Sequence, residues 1–342
     1  MKGVLAGTVL PLVSVIIPVR NEARYIRRCL EAVLSQDYPT DRLEVLVVDD
    51  RSTDASQNIV RRTSRLQGVR LLINPTGGIP HGLNLAIRNA QGDVIVRVDA
   101  HAIIEPDYVT QCVAALQATG ADVVGGPPRN LGEGFWGSVI AGAMASPFGR
   151  PARFNRTTSA QAVDTVYMGA FRRDTLLRAG LYDESIQINE DYELNYRIRR
   201  SGGLIYHVPS IRSSYYNRRS LKSLWTQFWR YGRGKGTVLR RHPGSLQPRH
   251  LVAPLFVLAL TCGMWLTVVG RPSPMLALLI VYAVIGSVFS WRAARGAGFR
   301  ASGATLIAFA VMHVSWGAGL WAGLLGLVPL HAPEAGRATA IC

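Results

Sequence analysis

The sequence predicts an α/β domain on a mainly parallel, doubly wound sheet, followed by an amphipathic interface helix and about three transmembrane helices. Three observations carry that expectation. In the first half, short β-branched runs alternate with stretches of helical spacing, the pattern of parallel strands joined by right-handed crossover helices. Acids then stop: residues 1–193 hold 21 Asp/Glu against 20 Lys/Arg, whereas residues 194–342 hold only Glu334 against 18 Lys/Arg. Finally, the second half carries three long segments without any Asp, Glu, Lys or Arg.

The elements follow in order. Residues 13–19 (VSVIIPV) read as a buried parallel strand. Lys2 and the apolar run behind it resemble a signal peptide, but Pro11 interrupts that run and the strand leads directly into Arg20-Asn21-Glu22. Residues 22–35 have helical spacing in Ile26, Cys29, Leu30, Val33 and Leu34. A strand at 43–48 ends in Asp49-Asp50, and a helix at 55–66 leads to a strand at 69–73. Then come a helix at 79–89 with Gly92 just beyond it, a strand at 94–98 ending in Asp99-Ala100-His101, and a helix at 107–118.

In the second half, residues 251–269, 272–291 and 301–330 are each about 20 residues or longer, enough to cross the hydrocarbon of a bilayer as helices. Arg240, Arg241 and Arg249 precede the first span, and Arg292, Arg295 and Arg300 separate the second from the third. Only Arg271 links the first two. The positive-inside bias places residues 1–250 and the loop at 292–300 in the cytoplasm, with the C-terminus outside. Buried core helices are the alternative reading. The Gly- and Ala-rich third span suits close packing against a neighbour. Just upstream, Leu221, Leu224, Trp225, Phe228 and Trp229 recur at helical spacing among basic residues, the signature of a helix lying in the cytoplasmic interface. The expected division is therefore a domain at 1–210, a basic amphipathic segment at 211–250, a membrane region at 251–330 and a tail at 331–342.

Composition narrows the function. With 48% hydrophobic and 18% charged residues, the chain is not of the disordered class. Cys29, Cys112, Cys262 and Cys342 form no C-x-x-C pair, so neither a disulfide framework nor a zinc site is expected, and a reducing compartment fits. A net charge of +16 invites a nucleic-acid reading. The excess, however, flanks apolar spans while the first half is balanced, so no nucleic acid is expected as a partner. A transporter would need intramembrane acids or visible repeats; His313 is the single ionisable residue within a span.

Doubly wound sheets bind ligands beyond the carboxyl ends of their strands. Arg20-Asn21-Glu22, Asp49-Asp50 and Asp99 all stand at such ends. Neither G-x-G-x-x-G nor G-x-x-x-x-G-K-[ST] occurs, so dinucleotide and P-loop binding are unsupported. Converging carboxylates suit a hydroxyl-rich ligand whose phosphates are bridged by a cation. Asp99-x-His101 offers one oxygen and one imidazole nitrogen from an extended segment, although D-x-H alone is common in solvated turns. Glu190 and Asp191 open a helix in which Asn189 can serve as N-cap, Glu193 can pair with Arg197, and Gly202 ends the element. First-turn acids also simply complement a helix dipole.

Five motifs in this order and spacing, SVIIPVRNE at 14–22, VVDDRSTD at 47–54, DAH at 99–101, GAFR at 169–172 and NED at 189–191, resemble the family-2 inverting glycosyltransferases of the GT-A fold. VDAH at 98–101, SPFG at 146–149, VDT at 163–165 and ELNY at 193–196 are similar to the membrane-bound, succinoglycan-type exopolysaccharide enzymes. The resemblance implies that Pro18, Arg20 and Glu22 line a uridine pocket, that Asp49 reads the uracil edge with Asp50 and Asp54 nearby, and that Gly78 lies beside the donor. It places Asp99 and His101 where the family's D-x-D holds Mg2+ or Mn2+, His departing from the family's Asp. Asp191, with Glu190 before it, falls at the position of the catalytic base. Inverting transfer needs one carboxylate to take the acceptor proton and cationic charge to stabilise the departing diphosphate.

Gly169 and Ala170 resemble the floor of the acceptor side. Gln227-x-x-Arg230-Tyr231 loosely resembles the Q-x-x-R-W box of processive synthases, which would set Arg230 on a diphosphate and Tyr231 under the acceptor sugar. The activity implied is transfer of a single hexose from a UDP-sugar, UDP-glucose first, to a polyprenyl-diphosphate-linked sugar. It would take place at the cytoplasmic side of the cell membrane, in contact with membrane lipids. Direct transfer to a polyprenyl phosphate and processive synthesis are the alternatives, and three spans are few for a channel. The Asn155-Arg156-Thr157 sequon would be inert on that side.

Overall fold

The computed structural model describes residues 10–150 and 157–327, with the backbone alone at 65–67. The lead at 1–9, Asn155 and Arg156 of the sequon, residues 328–330 of the third expected span and the tail at 331–342 lie outside the described residues. The chain divides into two compact units, one from residues up to 129 with 157–215, the other from 130–150 and 216–327.

The first unit runs β1 (Val13–Val19), α1 (Ile26–Leu34), β2 (Leu43–Asp49), α2 (Ser56–Gln67), β3 (Arg70–Ile73), α3 (Ile79–Asn89), β4 (Val94–Arg97), β5 (Ala102–Ile104), α4 (Tyr108–Thr119), β6 (Val123–Gly126) and β7 (Pro128–Leu131). After α5 (Gly134–Ala145), which belongs to the second unit, it resumes with β8 (Gln161–Ala162), β9 (Tyr167–Arg172), α6 (Arg173–Arg178), α7 (Glu190–Arg200), β10 (Ile205–His207) and β11 (Ser213–Tyr216). The main sheet has the order β3-β2-β1-β4-β9-β6-β10-β8. β1 to β4 are mutually parallel, β9 is antiparallel to both β4 and β6, and β10 is parallel to β6.

Side-chain alternation along β1 explains why both faces are covered. Val13, Val15, Ile17 and Val19 enter a core with Ile26, Leu30 and Val33 of α1 and Val109 and Val113 of α4. Ile16 points the other way, into a core with Leu83 and Ile87 of α3 and Leu194 and Ile198 of α7. The expected elements through residue 118 are all present. The first helix differs: it starts at Ile26 rather than 22, because the Glu22 and Ala23 N–H groups are held by Ser56 at the start of α2 and Asp54 just before it.

The second unit is helical: α5, α8 (Leu221–Arg241), α9 (Val252–Val268), α10 (Ser273–Ala293) and α11 (Gly298–Leu325). Among the described residues, three helical stretches are long and apolar enough to cross a membrane, Pro248–Val268, Ser273–Ala293 and Gly298–Leu325. The third ends at Leu325, short of the expected 330, where Gly326 turns left-handed at φ 66°. Its close neighbour is α8. A Cβ placed on Gly319 would lie 2.3 Å from the Trp229 carbonyl oxygen, and one on Gly232 would lie 2.0 Å from that of Trp316, so the two backbones touch. Leu224 and Phe228, on the face expected to meet lipid, are instead buried with Val139 and Ile140 of α5 and Phe309 and Met312 of α11. Trp225 remains exposed. Charge mapping alone places everything before 210 in one domain; it misses that 130–150 joins the helical unit through the apolar α5.

Candidate active site

The site lies at the carboxyl ends of β2, β1 and β4, adjacent in the sheet. Two loops are stitched together there. The Asn21 N–H donates to Ser52 Oγ (3.0 Å), Thr53 N–H donates to Asn21 Oδ1 (2.7 Å), and the N–H groups of Glu22 and Ala23 donate to Ser56 Oγ (2.8 Å) and Asp54 Oδ2 (3.0 Å). Asn21 holds φ 55° to permit this, a conformation that asparagine tolerates better than most residues. Burial pushes the Asp54 carboxyl up, but the hydrogen bonds from Ser56 and Ala23 outweigh it and hold the group below its ordinary value.

Asp49 is fully buried. Its Oδ2 receives the Ser52 N–H (3.2 Å) and Gln57 Nε2 (3.4 Å), while its buried Oδ1 has no partner among the described residues. An open buried acceptor of this kind is costly unless a ligand supplies the donor. Asp50 is used differently: Oδ1 receives Asn74 Nδ2 (2.9 Å) and the Gly78 N–H (2.8 Å), and Arg20 Nη1 stands 3.6 Å from Oδ2. It therefore braces the turn after β3, where Gly78 has φ 97° and a Cβ would lie 2.4 Å from Gln187 Oε1. Pro18 pairs in register with Val48 at the end of β1.

At the end of β4, Arg97 Nε lies 3.1 Å from Asp99 Oδ1, and Arg97 Nη1 lies 2.9 Å from Glu190 Oε1 at the start of α7. Burial raises the Asp99 carboxyl, yet Arg97 and then His101 draw it below the ordinary range. Burial pushes Glu190 up to about 7, with Arg97 opposing and Asp191 adding to the rise. The same acids hold the Arg97 guanidinium charged against its own desolvation. Asp191 is partly exposed, and its Oδ1 receives the Tyr192 N–H at 2.7 Å. The expected Asn189 side-chain cap is absent; Asn189 instead adopts φ 64°, which turns the chain into α7. The Glu193–Arg197 pair forms at 2.7 Å. Burial raises the Cys29 thiol, which reaches the Asp99 carbonyl at 3.6 Å.

Pro18, Arg20, Glu22, Asp49, Asp50, Asp54, Gly78, Asp99, His101, Glu190 and Asp191 thus all belong to the first unit. Gly169 and Ala170 do not line an open floor: β9 runs inside the sheet, where Ala170 is fully buried and pairs with Val96 and Val124. A Cβ on Gly169 would meet the Phe171 ring at 2.8 Å. Gln227, Arg230 and Tyr231 belong to α8 of the second unit, where Gln227 Nε2 donates to Tyr231 Oη at 3.1 Å. Sequence reasoning missed Arg97. A single cation at the end of an otherwise apolar strand (VIVR), two residues before an acid, was the available signal.

A divalent cation fits this donor set in one specific way. Asp99 and His101 would supply a carboxylate oxygen and an imidazole nitrogen, since no group of three or more His, Cys, Asp or Glu is arranged to hold an ion among the described residues. Such a pair suits an ion that completes its shell with substrate phosphates and water rather than a dedicated protein cage. His101 Nδ1 lies 3.3 Å from Glu22 Oε1.

Residues 14–178 match the family Glycosyl transferase family 2. The chain is 29% identical over 317 residues to the succinoglycan biosynthesis protein ExoA of Rhizobium meliloti, covering 91% of this chain and 94% of that protein. It is 27% identical over 238 residues to a Methanococcus voltae dolichyl N-acetyl-α-D-glucosaminyl phosphate 3-β-D-2,3-diacetamido-2,3-dideoxy-β-D-glucuronosyltransferase, covering 67% of this chain and 74% of that one. Among solved structures, the Pyrobaculum calidifontis mannosyltransferase PcManGT, in complex with GDP-Man and Mn2+, shares the fold. Its TM-score is 0.57 at 22% identity, over 93% of this chain and 87% of that one.

Proposed function

Since the chain is a glycosyltransferase with a family 2 domain at residues 14–178, we propose that it transfers one hexose, with inversion, from a UDP-sugar to a polyprenyl-diphosphate-linked sugar in cell-surface glycan assembly. UDP-glucose is the first donor to try. The observation that carries this reading is the chain of contacts from Asp99 through Arg97 to Glu190, next to Asp191, because it ties the diphosphate end of the site to the acid that would take the acceptor proton.

In this reading the unpartnered Asp49 Oδ1 accepts a base N–H, and the loop braced by Asp50 and Gly78 shapes the donor pocket. Asp191, more exposed than Glu190, accepts the proton of the attacking hydroxyl. Glu190, paired with Arg97, fixes the start of α7. Asp99 and His101 would hold Mg2+ or Mn2+, which when bound supplies positive charge to the departing diphosphate. Arg97 keeps Asp99 ionised and ready for that role.

The acceptor is inferred from relatives. The name of the Methanococcus voltae enzyme places its acceptor sugar on dolichyl phosphate, and that of ExoA places it in succinoglycan biosynthesis. The three apolar helices keep the chain at the bilayer, with the arginine-rich loops on the cytoplasmic side. The test is mass spectrometry of lipid products after incubation of the purified full chain with a panel of UDP-sugars and, side by side, polyprenyl phosphate and polyprenyl-diphosphate-linked sugars. The reading expects one added hexose. A product built directly on polyprenyl phosphate, or a ladder of additions, would overturn it.

A further inference from the structure

A D-x-D pair has no tautomer to choose, because either carboxylate oxygen can meet an ion. A D-x-H pair does. A neutral imidazole carries its proton on one nitrogen and offers a lone pair on the other, and a neighbouring hydrogen bond decides which. The His101 ring is held on two sides in the first unit. Its Nδ1 lies 3.3 Å from Glu22 Oε1, within ion-pair reach. Its ring meets Tyr215 edge-on at 5.0 Å between centroids, and Tyr215 in turn meets Tyr167 at 6.0 Å. Glu22 is itself anchored, with its N–H on Ser56 Oγ and only 11% of its side chain exposed.

From this geometry we propose that Glu22 is a positioning residue for His101: it accepts a hydrogen bond from Nδ1–H, fixes the tautomer and ring plane, and leaves Nε2 as the cation ligand. This gives Glu22 a role different from lining a uridine pocket. It rests on the reading above, that Asp99 and His101 hold the divalent ion. A carboxylate behind a ligating histidine orients the ring and raises its basicity, and losing such a partner costs about 10–100-fold in metal affinity.

The test is a Mn2+ titration of the detergent-purified full chain in the presence of UDP, with free Mn2+ read by electron paramagnetic resonance. UDP binding without metal and thermal unfolding are measured alongside. Glu22→Gln is expected to weaken Mn2+ binding about tenfold or more, with metal-free UDP binding and the unfolding midpoint unchanged. Replacing His101 by Asp removes the tautomer, so in the His101→Asp background the Glu22→Gln penalty is expected to vanish. If Glu22→Gln does not yield folded protein, Glu22→Asp, which withdraws the carboxylate by one methylene, carries the same comparison.

The failures separate cleanly. Normal Mn2+ binding by His101→Ala would overturn the ligand reading on which the proposal stands. Weakened binding by His101→Ala with normal binding by the Glu22 variant would overturn the proposal alone. So would a Glu22 penalty that persists in His101→Asp, or an equal loss of metal-free UDP binding.

Discussion

Arg97 Nη1 stands 2.9 Å from Glu190 Oε1, while the same guanidinium's Nε stands 3.1 Å from Asp99 Oδ1. One side chain at the end of β4 therefore sets the start of α7 against the segment after β4 that carries Asp99. Arginine suits the position because its planar fork reaches two carboxylates at once, which a lysine ammonium does not reproduce.

Arg97→Met is accordingly expected to lower transfer by about 10²-fold or more and to destabilise the fold by about 3 kcal/mol, because the buried Glu190 and the half-buried Asp99 lose their compensation. Arg97→Lys should recover part of the stability but less of the activity. Steady-state kinetics and thermal unfolding of the two variants check this; equal activity in Arg97→Lys and wild type would count against a bidentate role.

Glu190 makes stability depend on pH. Its carboxyl ionises near 4.5 in the unfolded chain and near 7 in the fold, where burial favours the neutral form. A folded value above the unfolded one means that its contribution is fully present below about pH 4.5 and is lost as pH rises through about 7, a swing of about 3 kcal/mol at most. Glu190→Gln cannot titrate, so the variant should gain on wild type in unfolding midpoint between pH 5 and pH 8. A difference independent of pH would contradict the assignment.

The buried Asp49 Oδ1 leads to a separation of function from stability. Asp49→Asn removes a buried charge whose one oxygen has no partner, so the unfolding midpoint is expected to stay level or rise. UDP affinity should fall by about tenfold or more, read by calorimetry. A loss of stability with unchanged UDP affinity would place Asp49 in the scaffold.

In the helical unit, Gly319→Leu is expected to destabilise by about 1–3 kcal/mol or more, because the Cβ alone would sit 2.3 Å from the Trp229 carbonyl oxygen. Gly303, which has open space around its Cβ position, is the control: Gly303→Ala should leave the unfolding midpoint nearly unchanged or raise it.

The parallel half of the sheet was legible because β1, β2 and β4 are β-branched runs that end at the acids, and burial on both faces leaves a continuous apolar run as its trace. β9 was not legible. It inserts antiparallel between β4 and β6, a pairing with no crossover helix to announce it, so Gly169 and Ala170 read as a ligand floor when they are sheet interior. The acids of the site were recognised by type and position, but their division of labour depends on where the side chains turn. Asp54 spends both oxygens on backbone N–H groups and Asp50 spends its own on the Gly78 N–H, Asn74 and Arg20, while Asp49 Oδ1 has no partner among the described residues. Arg97 and the Glu22–His101 contact are relations between distant residues, which no local pattern encodes. α5 is apolar and short, so a search for spans passes over it.

The reading as a whole is tested most directly by the turnover of Asp191→Asn in sugar transfer, measured beside its UDP binding. The substitution keeps the size and the hydrogen bond to the Tyr192 N–H but cannot accept a proton. Turnover about 10²-fold or more below wild type, with UDP bound as before, is the expected result. Turnover near that of wild type would remove Asp191 from the chemistry.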